Sequence, residues 1–281
     1  MVSTLASGNM RPYVGGGDIL VMNSVVDFVG MNRVSRKVLG QAADAMAGMV
    51  TLADKANAKE TERPLVATTM FGVTTPCVER ATAVLEEAGN EVLVFHATGS
   101  GGESFELLAR SGMLAGVLDL TTTEIADELV GGILSAGPRR LTAAGELGIP
   151  QVVSVGATDM VNFGSRASLP PQFAARTLYE HNENVTLMRT TSEECAAIGA
   201  DIGTKLANGK GLRRIFLPAL GVSAIDKTDG PFDDPTARQA LFAAIESHCG
   251  DVKCDTLNHH INDPEFAEAA ARALLELMHI E

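Results

Sequence analysis

The sequence predicts an α/β protein built on an open parallel sheet, in a Rossmann-like three-layer α/β/α arrangement. Three observations carry that prediction. From residue 64 onward, short β-branched apolar runs alternate with helical patterns, as expected when parallel strands are joined through crossover helices. Three helix starts place Pro directly after a capping residue, at Thr75-Pro76, Asp234-Pro235 and Asp263-Pro264. A proline there gives up no hydrogen bond, because the first helical N–H has no partner inside the helix. A fourth start, Thr191-Ser192-Glu193-Glu194, has the spacing of a capping box.

In chain order, residues 1–6 and 18–24 read as strands joined by a Gly-rich loop, and residues 32–49 as a helix of small residues. Residues 54–63 are polar, with alternating charge, and suit a linker. Six strands follow, at residues 65–71, 91–96, 115–120, 151–155, 213–217 and 252–257, each expected to lead into a helix. With the first two, eight strands can be counted, so a closed barrel is the alternative. The lack of a helical pattern between Ala6 and Asp18 argues against it. Opening directly on a strand is unusual for an α/β domain. Residues 1–60 are therefore expected to be the end of something that begins upstream, and residues 61–281 a C-terminal α/β domain.

The length, 281 residues, suits one or two domains, and 46% hydrophobic against 20% charged residues is ordinary globular composition. Thirty-five acidic against 22 basic side chains leave a net charge of −13, which opposes attraction to nucleic acid or to an anionic membrane. No Trp and two Tyr leave little for stacking bases. No apolar run reaches the roughly 18–20 residues that cross a bilayer. The start lacks the basic-then-apolar order of a signal peptide. Four cysteines without a Cys-x-x-Cys pair read as free thiols in a reducing cytoplasm.

Ligands of open parallel sheets bind beyond the carboxyl ends of the strands, so the loops after each strand hold the candidates. After the second strand of the C-terminal domain, Gly99-Ser100-Gly101-Gly102 joins strand to helix. Free amides at such a helix start suit a phosphate or carboxylate, although a tight turn uses the same residues. Asp119 sits in an apolar strand, where a charge needs a partner or a role. Hydrogen bonds to Thr121, Thr122 and Thr123 would satisfy it, and ligand contact is the alternative. Asp159 and Asn162 follow the next strand, either as ligand contacts or in an Asx-turn. His181, Arg189, His260 and Asn262 complete the polar rim, with Asp159 or His260 as candidate general base. No His-x-x-x-His zinc pair occurs. No Gly-x-Ser-x-Gly elbow occurs either, although Ser100 with a histidine faintly echoes a serine hydrolase.

Several motifs taken in order resemble a known family. They are MVSTLASGN at residues 1–9, PLVATTMFGVTTPC at 64–77, VGATDMVNFG at 155–164, LMRTT at 187–191 and HINDPEF at 260–266. The chain resembles a two-domain family of uncharacterised bacterial, fungal and plant proteins, which includes the inhibitory N-terminal region of the tomato mosaic virus resistance protein. The resemblance implies ATP binding through an N-terminal domain of which residues 1–60 would be the remnant. ATP with Mg²⁺ is then a cofactor of the longer family members rather than of this chain. It also implies that Ser3, Thr4, Ser7, Gly8 and Asn9 edge an inter-domain cleft, and that Asp159, Asn162, His181, Arg189, His260, Asn262 and Asp263 are motif positions of the second domain. Homodimers or larger homo-oligomers are implied as well. The small residues Ala42, Ala43, Ala45, Ala47 and Gly48 would serve such contact, or packing within their own domain. Two functions follow as expectations: binding of a small anionic ligand on the C-terminal domain, or a non-catalytic inhibitory module acting on a partner protein.

Overall fold

A computed structural model describes residues 1–15, 17, 19–56 and 63–279. The chain divides into two units, Met1–Glu62 and Arg63–Glu281.

In the first unit, β1 (Val2–Ser3) pairs in parallel with β2 (Met22–Asn23). A short helix, α1 (Arg11–Val14), lies between them, contrary to the expectation of no helix between Ala6 and Asp18, and the long α2 (Arg33–Ala56) follows. The strand expected over residues 1–6 stops early because the Ser3 hydroxyl accepts a hydrogen bond from Leu5 N, turning Thr4–Ser7 into a 3-10 helix. Asn32 starts α2: its side-chain oxygen accepts from Val34 N and Ser35 N, and the Ser35 hydroxyl accepts from Asn32 N. The helix runs beyond residue 49 into the stretch expected to be a linker. Residues 57–62 of that stretch lie outside the described residues.

The second unit begins β3 (Leu65–Met70), α3 (Thr75–Glu87), β4 (Glu91–His96), α4 (Ser100–Arg110), β5 (Gly116–Thr121) and α5 (Thr123–Val130). It continues with α6 (Ala143–Leu147) and β6 (Gln151–Gly156). Then come three strands of a separate sheet, β7 (Met160–Phe163), β8 (Leu178–Asn182) and β9 (Val185–Arg189). The unit ends α7 (Ser192–Asn208), β10 (Arg213–Pro218), α8 (Pro235–His248), β11 (Lys253–Leu257) and α9 (Pro264–Met278).

The main sheet has the order β11-β10-β6-β5-β3-β4, and every pair in it is parallel. Neighbouring strand residues serve opposite layers. Val152 joins Val66, Leu118, Leu120 and Phe216 against apolar residues of α3 and α9, while Val153 joins Val155, Ile215 and Leu217 against those of α7 and α8. Burial on both faces explains why these strands read as continuous apolar runs. The result is the three-layer α/β/α arrangement the sequence predicts. The chain starts at β3, moves outward to β4, then crosses back to β5, so the direction of winding reverses between β3 and β5.

A further expectation needs correction in the second unit. β6 does not lead straight into a helix, because the segment read as a loop is part of the antiparallel sheet β7-β9-β8. Ala157, with φ of 56°, makes the turn out of β6. Met160 and Leu187 of the small sheet cluster with Val73, Ala157 and Phe232. Part of the main sheet's carboxyl edge is thereby covered by apolar side chains.

Candidate functional site

Asp119 is fully buried in β5, and its partner is a residue that sequence reasoning passed over. Arg140, also without exposure, reaches Asp119 through Nη1 at 2.5 Å and Nη2 at 2.8 Å, while its Nε donates to Glu124 at 2.7 Å. The Thr69 hydroxyl donates to Asp119 at 2.6 Å. The expected bonds from Asp119 to the Thr121–Thr123 run are replaced by these. Thr121 N donates to Thr69 Oγ1 and the Thr122 hydroxyl to Ser154 O, so the two residues tie the end of β5 to β3 and β6. The basic pair Arg139-Arg140 was the available signal. A lone aspartate inside an apolar strand calls for a buried cation, and arginine's planar fork suits a carboxylate.

The same cluster fills the glycine cradle. Glu124 Oε1 accepts from Gly99 N at 2.7 Å and from Gly102 N at 3.0 Å. The amides expected to hold an external carboxylate or phosphate therefore hold one from the chain's own next helix. A Cβ on Gly102 would meet that carboxylate at 2.2 Å, and one on Gly101 would meet the His96 carbonyl oxygen at 1.8 Å. The glycines are needed for close approach, as expected, but to an internal guest. Ser100 remains exposed on the outer side of this turn. Burial pushes the Glu124 carboxyl up, against the pull of Arg140 and the two amides.

A second polar cluster gathers around Asp159, just beyond β6. Its Oδ2 accepts from the Ser223 hydroxyl at 2.8 Å, and its Oδ1 is buried with no hydrogen-bond partner. Asp226 lies close by, bonded to Arg238 Nη1 at 2.7 Å and to Val222 N at 2.9 Å. Burial pushes the Asp159 carboxyl up to about 7, and the charge of Asp226 adds to this, while Arg189 and Ser223 oppose it. Arg189 is an internal brace rather than a surface ion pair. Its Nε donates to Phe232 O at 2.8 Å and its Nη1 to Thr190 Oγ1 at 2.8 Å.

Asn162 does not join Asp159. It belongs to β7, where its Nδ2 donates to Asp127 Oδ2 at 2.7 Å and its backbone N to Oδ1 at 3.0 Å. Burial pushes Asp127 up to about 7 as well. His181 is exposed on β8, a strand of the small sheet rather than of the main one, at the position where the β8–β9 register shifts.

His260 and Asn262 do converge with other rim loops. The His260 Nε2 donates to Ser223 O at 2.8 Å, and its Nδ1 accepts from Asn262 N at 3.1 Å. A carbonyl can only accept and an amide N–H only donate, so the proton sits on Nε2. Both ring nitrogens are occupied, and in this arrangement neither is left to act as a base. Asn262 Nδ2 donates to Val73 O at 3.0 Å, and its Oδ1 accepts from Cys77 N at 3.4 Å. Ala224 N also donates to Val73 O, at 3.0 Å. The loops after β3, β10 and β11 are thus tied into one lip.

In the first unit, Ser3, Thr4, Ser7 and Gly8 bond around their own turn, with Ser7 Oγ donating to Thr4 O and Gly8 N to Leu5 O; Asn9 follows them. Among the described residues, no group of three or more His, Cys, Asp or Glu side chains is placed to hold a metal ion. Among the same residues, no helix is long and apolar enough to cross a membrane.

Comparison with known proteins gives this arrangement its relatives. Residues 63–278 match the Uncharacterised protein family (UPF0261) C-terminal domain, and residues 1–55 match the N-terminal domain of that family. The UPF0261 protein of Clostridium tetani is 52% identical over 99% of this chain and 69% of its own length. The UPF0261 protein RA0729 of Rhizobium meliloti is 50% identical over the same shares. The ToMV resistance protein Tm-1(GCR237) of Solanum lycopersicum is 44% identical over 99% of this chain and 38% of its own length. The chain belongs to the uncharacterised UPF0261 family.

Proposed function

We propose that the C-terminal unit binds a small ligand carrying a phosphate or carboxylate, seated on the lip formed by the loops after β3, β10 and β11. One observation supports this reading above others: Asn262 ties the start of α3 to the last loop while His260 ties that loop to Ser223, so three strand ends are held in one fixed arrangement. Such preorganisation lowers the ordering cost of binding. Exposed Gly72 and half-exposed Thr75 at the start of α3 present backbone to a guest there, and the loop after β11 carries His259 at 39% side-chain exposure. A helix start favours negative charge.

The proposed role is binding rather than chemistry. Asp159 is buried under the loop after β10, and both ring nitrogens of His260 are occupied, which leaves neither candidate base presented to a guest. A thermal-shift screen against phosphorylated and carboxylated metabolites, with ATP and Mg²⁺ as one arm, tests the reading. The expected result is a raised melting temperature with at least one anion, lost in Asn262→Ala and kept in the surface variant Arg272→Gln. No shift with any anion would overturn it. ATP as the sole active compound would favour the nucleotide-binding role that the family resemblance implies.

A second reading is an interaction module in the cytoplasm, acting as a homo-oligomer or on another protein. It is favoured by the exposed Met46, Met49, Val50 and Leu52 of α2 and by kinship to a protein named for ToMV resistance. Sedimentation of the chain at rising concentration, beside Met46→Glu, tests the homo-oligomeric form. A single monomeric species throughout would exclude it.

A further inference from the structure

Cys249 closes α8, and Cys254 lies in β11, the edge strand of the main sheet. Their sulfurs are 3.4 Å apart, and both thiols are free. Gly250, with φ of 63°, makes the tight turn that brings them together. Val252 O faces both sulfurs, at 3.6 and 3.8 Å. Cys249 is buried, whereas Cys254 is half-buried and within reach of a small reagent. A disulfide needs the sulfurs at about 2.05 Å, a closure that side-chain rotation can supply. The other two thiols differ in kind: Cys77 is buried in the first turn of α3, and Cys195 is buried against Thr190 and Arg189.

We propose that Cys249 and Cys254 are an oxidisable pair, converted to an intrachain disulfide by exchange with a low-molecular-weight disulfide. The Cys254 thiolate attacks one sulfur of the small disulfide; a mixed disulfide forms and one small thiolate leaves. The Cys249 thiolate then attacks Cys254 Sγ, the bond to the small moiety breaks, and a second small thiolate leaves. Two protein thiols are oxidised, one external disulfide is reduced, and the two thiol protons end on the released thiolates. Burial and the neighbouring Cys249 push the Cys254 thiol up to about 12, and Glu246 and Asp255 add to this. The exchange is therefore slow at neutral pH and quickens as pH rises. Its product pins the end of α8 to the edge strand, directly before the loop that carries His260 and Asn262.

The test uses the full chain, incubated with oxidised glutathione at pH 8.5, then alkylated and digested with trypsin. Cleavage after Lys253 separates the two cysteines, so a disulfide would hold peptides 239–253 and 254–272 together until reduced. The expected result is that linked pair, a whole chain lighter by two hydrogens, and a melting temperature raised by about 2–4 °C. In Cys249→Ser, glutathione should stay on Cys254, and in Cys254→Ser no link should form. Persistent glutathione on Cys254 of the unsubstituted chain, or both cysteines alkylated after a day, would overturn the proposal whether or not either variant folds.

Discussion

Two buried ionic clusters lie at the carboxyl ends of the same sheet, and they are built on opposite plans. Around Arg140, the guanidinium donates to Asp119, Glu124 and the Thr121 carbonyl, and Glu124 also takes two backbone amides. Around Asp159, a single hydroxyl serves one carboxylate oxygen, the other oxygen has no partner, and a second carboxylate stands close. The contrast shows how burial alone does not decide what a charged group does. Where every carboxylate oxygen has a donor, charge becomes architecture. Where one does not, proton occupancy near neutral pH decides the local energy.

The sharpest way to break the comparison is Arg140→Met. It leaves Asp119 and Glu124 buried without their cation, and breaking a buried pair from one side costs about 3–5 kcal/mol. Urea unfolding at pH 7 should show that loss. A loss below about 1 kcal/mol would mean that Arg140 is not what neutralises the cluster. Gly101→Ala ranks next. Its methyl would sit 1.8 Å from the His96 carbonyl oxygen, a backbone atom that cannot swing aside. Overpacking of this kind costs about 1–3 kcal/mol. An unchanged midpoint would show that the start of α4 is looser than the Glu124 contacts require.

For the second cluster the informative variable is pH. The Asp159 carboxyl ionises at about 7 when folded against 3.8 as a free group. Because the folded value is the raised one, this group's contribution is most favourable below pH 3.8, falls as pH rises toward 7, and is constant above that. Asp127, also held at about 7 by burial, acts with the same sign. Asp159→Asn should therefore narrow the stability difference between pH 5 and pH 8, by an amount on the order of 1–3 kcal/mol. Chemical unfolding of both proteins at the two pH values reads it. Equal differences would mean that Asp159 does not titrate in this range.

Much of the sheet was legible in the sequence, and the reason is physical. The buried strand β3 reads as a short β-branched and apolar run, so residues 65–71 match it within one residue, and the edge strand β4, though partly exposed, keeps a run of Val, Leu and Phe that puts 91–96 at its observed bounds. The starts of α7 and α8 are capped by Thr191 and Asp234 as expected, while at α3 and α9 it is the proline in the first turn that marks the start: Thr75 lies inside α3, and neither Thr74 nor Asp263 makes a side-chain cap bond. The small antiparallel sheet was missed because Gly156, Ala157 and Asp159 at its entry look like loop chemistry, and its first strand is four residues long. The site was less legible. Gly99–Gly102 announced a carboxylate guest, but nothing local said that Glu124 would be that guest, 22 residues away from Gly102. Arg140 and Asp119 are likewise joined only by folding.

The smallest effect is expected at the join between the Asp159 cluster and the lip. His260 reaches Ser223 through the backbone carbonyl, whereas Asp159 reaches it through the hydroxyl. His260→Ala removes the bonds to Ser223 O and Asn262 N. The Asn262 N–H is half-exposed and can be served by water, whereas Ser223 is buried, so the cost should be about 1 kcal/mol, the low end for a buried acceptor that loses its donor. It should leave the pH dependence intact, since no proton on Asp159 depends on the imidazole. If His260→Ala instead flattened that dependence as Asp159→Asn does, the two residues would form one network through Ser223. The lip would then respond to the proton on Asp159, and the under-saturated cluster would be part of the binding site rather than its neighbour.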